Sequence, residues 1–163
     1  MALVALAIAV VAATDPISWF ALRMLNCTSE ADVRATISDI HADGSFPVVR
    51  FWMDGECPAE WLALPAVEQI QFDGPGTIVG GPITQRVPGA CQSIWFNNFV
   101  FDGANTSHWL IGPEAQIPNI TIRNSRFTRW LGPVLVYAAP GSNTSLWMNH
   151  ITIDNCGIGT KLF

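Results

Sequence analysis

The sequence predicts an all-β protein, a parallel β-helix of about four to five coils with an amphipathic helix at its N-terminal end, and three observations predict it. First, the stretch from Ser93 onward repeats itself. SIWFNNFVFDG, NITIRNSRFTR and SLWMNHITIDN align without gaps, so that Ile94, Ile120 and Leu146 are successive steps of 26 residues, as are Phe101, Phe127 and Ile153. HWLI, VLVY and TKLF follow at the same step. Second, apolar residues alternate within each unit, as at Ile94 and Phe96 or Ile120 and Ile122. Period two means strands with one buried face. Third, a unit this short, filled by two or three strands, leaves no room for a helical layer. A chain that coils on itself buries equivalent residues, each strand pairing in parallel with its equivalent roughly 4.8 Å away. In such a stack the row Asn98, Asn124 and His150 falls at a bend. Its Asn amides are expected to hydrogen-bond one another along the axis, with His150 a structural substitute rather than a base.

The remaining elements take their places in chain order. Residues 2–13 are an uninterrupted apolar run, too short to span a bilayer and of signal-peptide length, with Val11-Ala12-Ala13 as a small-residue cleavage pattern. Residues 1–13 therefore read as a signal peptide; the alternative is an N-terminal segment buried against the stack. Residues 14–27 give no firm assignment. In Thr28–Ala42, Ser29 and Asp32 resemble a capping box, and Val33, Ile37 and Ile40 recur at helical spacing. Such a helix can lie across the open end of a stack and shield it from edge pairing. Asp43-Gly44 is the turn that ends it. Pro47–Met53 reads as the first strand and Ala66–Gly81 as the next coil, with Asp73-Gly74-Pro75-Gly76 as a bend whose glycines supply positive φ. Residues 14–163 thus form one domain. The row holding TKLF has no cap behind it, so the chain is either the N-terminal part of a longer β-helix or self-associates through that last coil.

Composition narrows the partners. Half the residues are apolar, 13% are charged and the net charge is −5, with no Lys/Arg cluster. Disorder is excluded, and the charge argues against nucleic acid and an anionic membrane surface as partners. An acidic polysaccharide would find little long-range attraction.

Four cysteines admit three full pairings. Cys91 and Cys156 lie about two and a half coils apart, roughly 12 Å along the axis, beyond the reach of about 7 Å for a bridge. Cys27–Cys57 is the favoured disulfide, tying the helix start to the loop after the strand. No zinc spacing occurs, so no metal or cofactor is expected. Asn26, Asn105, Asn119 and Asn143 open N-glycosylation sequons, of which Asn105 and Asn143 lie in expected turns.

Three stretches carry a family resemblance: CTSEADVRATISDIHADG, FPVVRFWMDGECP and IQFDGPGTIVGG, followed by NITIRNSRF and HITIDNCGIG. From about Asn26 to its end, the chain resembles the pectin lyase-like, right-handed parallel β-helix superfamily, in its cell-surface forms. That resemblance implies the right-handed coil and an extracellular setting, but coil motifs specify fold rather than activity. The polygalacturonase motifs of the superfamily are missing. Asp102 and Asp154 share a row with Thr128 between them, roughly 10 Å apart, too far to ligate one calcium ion. Arg123 and Arg129 have no identifiable acidic neighbour in sequence and read as solvated. No catalytic residue is assigned.

The outward row is the candidate binding surface. Trp95, Thr121 and Trp147 point out between buried neighbours, with Asn97, Arg123 and Asn149 beside them. Flat indoles flanked by amides and Arg suit a sugar ring; alternatively a loop covers them. The expected function is a secreted or cell-surface scaffold, adhesin or fibre component with a face for a polysaccharide or other glycan. A lyase or hydrolase of the same fold and a self-stacking subunit are the alternatives.

Overall fold

A computed structural model describes residues 20–43, 47–106, 109–111, 116–131 and 143–156. The expected signal peptide, Gly44, His108, VLVY and TKLF lie outside the described residues. Described elements run β1 (Phe20–Leu25), α1 (Glu30–Asp43), β2 (Val48–Met53), β3 (Gly55–Pro58), a 3-10 turn (Ala59–Trp61), β4 (Ala63–Leu64), β5 (Gln69–Val79), β6 (Thr84–Gln85), β7 (Ser93–Thr106), β8 (Asn119–Trp130) and β9 (Ser145–Asp154).

One parallel sheet dominates, in the order β1-β2-β5-β7-β8-β9, with β3 also paired to β5. Every neighbour in space is the next unit in sequence. Phe20 faces Val48, Val48 faces Gln69, Gln69 faces Ser93, Ser93 faces Asn119 and Asn119 faces Ser145, steps of 28, 21, 24, 26 and 26 residues. A second, two-stranded parallel sheet pairs β4 with β6, and Ile83 bridges Ile111 in the same sense.

The core is built of files that run across the strands. Val49, Ile70, Ile94, Ile120 and Leu146 form one file; Phe51, Phe72, Phe96, Ile122 and Met148 form the next. Beyond the bend, Ile78, Phe101, Phe127 and Ile153 form a third. Ring centroids are 5.1 Å apart for Phe51–Phe72, 5.2 Å for Phe72–Phe96 and 4.7 Å for Phe101–Phe127, all stacked. Phe96 also meets Phe101 edge to face at 5.3 Å, joining the two sides of the bend. Burial loosens at β9, where Ile153 is 51% exposed.

The sequence reading needs four amendments here. Pro47–Met53 is not the first strand, since β1 precedes it; Leu22 and Met24 face outward in β1, 55% and 62% exposed, so the strand lacks a polar outer face. The row Asn98, Asn124 and His150 does sit at the bend, but as residues of φ 65°, 50° and 52°. Asn and His tolerate this left-handed region better than most side chains. Nor do its amides form a ladder: Asn124 Nδ2 donates to Asn97 Oδ1 at 2.9 Å. Finally, Gly74 and Gly76 are not among the positive-φ glycines. They are needed for close approach, because a Cβ on Gly74 would stand 2.0 Å from the Asn98 carbonyl oxygen. Here two residues, Gly74 and Pro75, oppose the single Asn98.

Helix α1 begins as expected. The Asp32 amide donates to Ser29 Oγ at 3.2 Å, and Ser29 Oγ donates to the Asp32 carboxylate at 2.8 Å. Val33, Ile37 and Ile40 are buried, and the helix packs on β1, β4 and the 3-10 turn. The Cys27–Cys57 disulfide, with Cα atoms 5.2 Å apart, fastens the turn before α1 to β3.

Phe96→Ala is expected to cost about 3–5 kcal/mol, because it removes a fully buried ring at the junction of two files. Ile153→Ala should cost under about 1 kcal/mol, given its exposure. Urea unfolding of both variants checks the contrast.

Candidate functional site

The face of the main sheet opposite the core carries the residues the sequence singles out. Register sets Gln71, Trp95, Thr121 and Trp147 in one file, and Trp52, Asp73, Asn97, Arg123 and Asn149 in the next. The six sugar-binding candidates therefore stand on three adjacent strands, β7, β8 and β9, as two parallel files.

Their availability differs. Trp147 is 62% exposed, and Asn149 and Arg123 are exposed as well. Trp95 is half-buried: its Nε1 donates to Ser93 Oγ at 2.9 Å, and the Arg123 guanidinium lies 5.1 Å above its ring. That cation–π contact covers the indole face a sugar would use. Asn97 is committed at both ends of its amide. It donates to Asp73 Oδ1 at 3.1 Å and accepts from Asn124.

Asp73 anchors this network. Although it lies on the outer file, it is only 3% exposed. Arg50 Nε donates to Oδ2 at 2.6 Å, and Gln71 Nε2 stands 3.5 Å from Oδ1. A carboxylate this enclosed needs such partners, since an unpaired buried charge costs several kcal/mol. Sequence reasoning gave Asp73 to the bend alone. The signal was present, because Arg50 and Asn97 occupy neighbouring register positions on either side of the Asp73 strand.

Two further ion pairs lie beyond the bend. Asp102, Thr128 and Asp154 do share a file. Arg126 pairs with Asp154 through Nη2. Arg129 is exposed, as expected, but it does have an acidic partner. Its Nε donates to both oxygens of Asp102, at 2.8 and 3.0 Å, and its Nη2 also reaches Oδ2. The register slips there, with Asp102 facing Thr128 but Thr106 facing Trp130, so Gly103–Asn105 oppose Arg129 alone. That bulge brings Arg129 back over Asp102. The Arg129 hydrogen bond holds the Asp102 carboxyl below its ordinary value of 3.8, against the opposing effect of burial.

At the bend itself lies a groove of about 420 Å³ that crosses β5, β7, β8 and β9. Asn98, Asn124 and His150 stand along one side; Thr77, Val100, Arg126 and Thr152 form the other. The sequence reading missed it, because a concavity depends on the angle between the two halves of each strand.

Elsewhere, among the described residues, no group of three or more His, Cys, Asp or Glu could hold a metal ion, and no helix is long and apolar enough to cross a membrane. Cys91 and Cys156 are free thiols. Cys91 is buried and donates to the Ser93 carbonyl at 3.2 Å; burial pushes its thiol up to about 11. The sequon residues Asn26, Asn105, Asn119 and Asn143 are all exposed, and Asn119 Nδ2 donates to the Gln92 carbonyl at 3.2 Å.

Two outcomes follow from these environments. The Asp102 carboxyl should titrate below 3.8, so its pairing contributes stability above that pH and loses it as acid passes the folded midpoint. Arg129→Gln should move the midpoint upward, read by carbon NMR of the side-chain carboxyl; an unmoved midpoint would discount the pair. In the native protein at neutral pH, a maleimide should label Cys156 well before Cys91, whose thiol is both enclosed and protonated. Mass spectrometry of timed aliquots reads the order.

Compared with known proteins, the chain matches no family model, no curated protein and no solved structure.

Proposed function

We propose that this chain is a secreted or cell-surface scaffold of the right-handed parallel β-helix type, of the pectin lyase-like kind, whose outward strand face holds glycans. The coil reading is supported by the parallel pairing of each strand with its successor at steps of 21 to 28 residues, and by the separate β4–β6 sheet and the parallel Ile83–Ile111 bridge. Each winding would then contribute one strand to each of two or more faces. The disulfide suits an oxidising compartment.

One observation carries the binding reading: Trp147 is 62% exposed on β9, at the edge of the described sheet, with Thr121 as its register neighbour on β8. An exposed indole combines a large apolar face with a polar N–H, the combination that is enriched at binding surfaces. Thr121 and Asn149 beside it supply hydroxyl and amide groups for sugar hydroxyls, while its ring offers a flat apolar surface. Arg123 holds its place by lying on Trp95, so it reaches the ligand already oriented. The residues enclosed in the Asp73 network, Asn97 among them, act as support for this surface rather than as contacts.

Trp147→Ala is expected to weaken glycan-array binding at least tenfold, equivalent to about 1.4 kcal/mol, with the circular dichroism spectrum unchanged. Binding that survives the substitution intact would reject this face as the site. Product release from pectin, alginate or chitin would instead favour a lyase or hydrolase.

A further inference from the structure

We infer that the groove at the bend is a subsite for a short neutral oligosaccharide lying across the strands. This rests on the glycan reading above and adds both a location, around the bend from Trp147, and a ligand class. The groove crosses four successive strands, a run of about 14 Å at the parallel spacing. Its volume of about 420 Å³ falls within the range of small-ligand sites.

The lining is amphipathic in a regular way. Pro75 and Val100 present apolar surface over a floor that includes the buried Phe99. Flanking them, Asn98 offers its amide, Asn124 an amide whose nitrogen also donates to Asn97 Oδ1, and Thr77 and Thr152 offer hydroxyls. Each of these groups both donates and accepts, which is what sugar hydroxyls require. Asn98 is exposed and makes no side-chain hydrogen bond among the described residues. Because Asn98, Asn124 and His150 occupy the same position on β7, β8 and β9, a chain laid across these strands meets a polar side chain at each of the three, with Pro75 on β5 at the end of the row.

Charge selects the ligand class. Of Asp, Glu, Lys and Arg, the lining contains Arg126 alone, and Asp154 pairs with it. Arg50 and Arg129 are likewise paired, with Asp73 and Asp102. A uronate or sulfated chain would find no uncommitted cation among these three arginines, and the chain's net charge of −5 opposes it at longer range. Neutral sugars carry no such penalty.

The bend makes a clean test available. Asn98 has φ 65°, a conformation glycine adopts without cost, so Asn98→Gly removes the amide while keeping the turn. Cellohexaose, xylohexaose and oligogalacturonate are titrated into labelled protein and followed by amide NMR and calorimetry. The expected result is shifts at Thr77, Asn98 and Thr152 with a neutral oligomer, insensitive to salt, and at least a tenfold rise in Kd for Asn98→Gly/Thr77→Val. Should that variant fail to fold, Thr77→Val and Thr152→Val at outward strand positions carry the same comparison. Shifts confined to Thr121 and Trp147, with the groove variants binding normally, would overturn the subsite and leave the Trp147 face standing. A salt-sensitive preference for oligogalacturonate would overturn the neutral class. No shift with any of the three would reject subsite and glycan reading together.

Discussion

The spacing of a parallel sheet and the thickness of an aromatic stack are nearly the same length, and this chain depends on that coincidence. Adjacent strands lie about 4.8 Å apart, and offset-stacked rings lie about 4.5 Å or more between centroids. A phenylalanine placed at one register position on successive strands must therefore stack on its neighbour. Phe51, Phe72 and Phe96 do so at 5.1 and 5.2 Å, and Phe101 and Phe127 at 4.7 Å. The hydrogen-bonded ladder and the core reinforce one register. A slip by one residue would turn every buried ring outward at once, so sequence steps of unequal length converge on a single alignment.

That alignment has to survive the bend, and the residues there are chosen for backbone reasons. Asn98, Asn124 and His150 turn the strand through the left-handed region, after which inward alternation resumes at Phe99 and Phe101. In β5 the same corner is made differently, by Gly74 and Pro75, with Gly74 pressed against the Asn98 carbonyl. A side chain at Gly74 would push the two strands apart and break the stacking of Phe72 on Phe96. One consequence is chemical. Residues tolerant of positive φ are also those with short polar side chains, so a constraint on backbone geometry lines the groove with amides and an imidazole.

How much of this was legible in the chain depended on whether a feature followed the repeat. The files through Ile94, Phe96 and Phe101 were, because their residues recur at a fixed step with an unambiguous alternation. The capping of α1 by Ser29 and the Cys27–Cys57 bond were also legible, the first from local pattern and the second from the reach of a bridge. Strand β1 was not, since Leu22 and Met24 on its outer side erase the polar half of the alternation. Arg129 was misread for a related reason: its partner Asp102 is brought over by a bulge, and a bulge is the place where counting by 26 fails. The Asn row was found by spacing yet explained wrongly, because stacked amides and left-handed backbone both favour the same residue type. Of the proposed sugar contacts, Trp95 and Asn97 point outward as read, but period two cannot tell whether an outward side chain is already held by its neighbours.

Those neighbour contacts give the outer surface its character. Arg50 is taken up by Asp73, Arg126 by Asp154 and Arg129 by Asp102, while Arg123 lies on Trp95. Pairing across strands ties strand to strand on the outer face of the sheet. It also compensates charge locally on a surface that exposes the indoles of Trp147 and Trp52. Where the carboxylate is enclosed, as at Asp73, such pairing is also screened less by salt than a pair between two fully exposed groups. The interactions that lock neighbouring strands together on the outside are thus the same ones that engage these arginines.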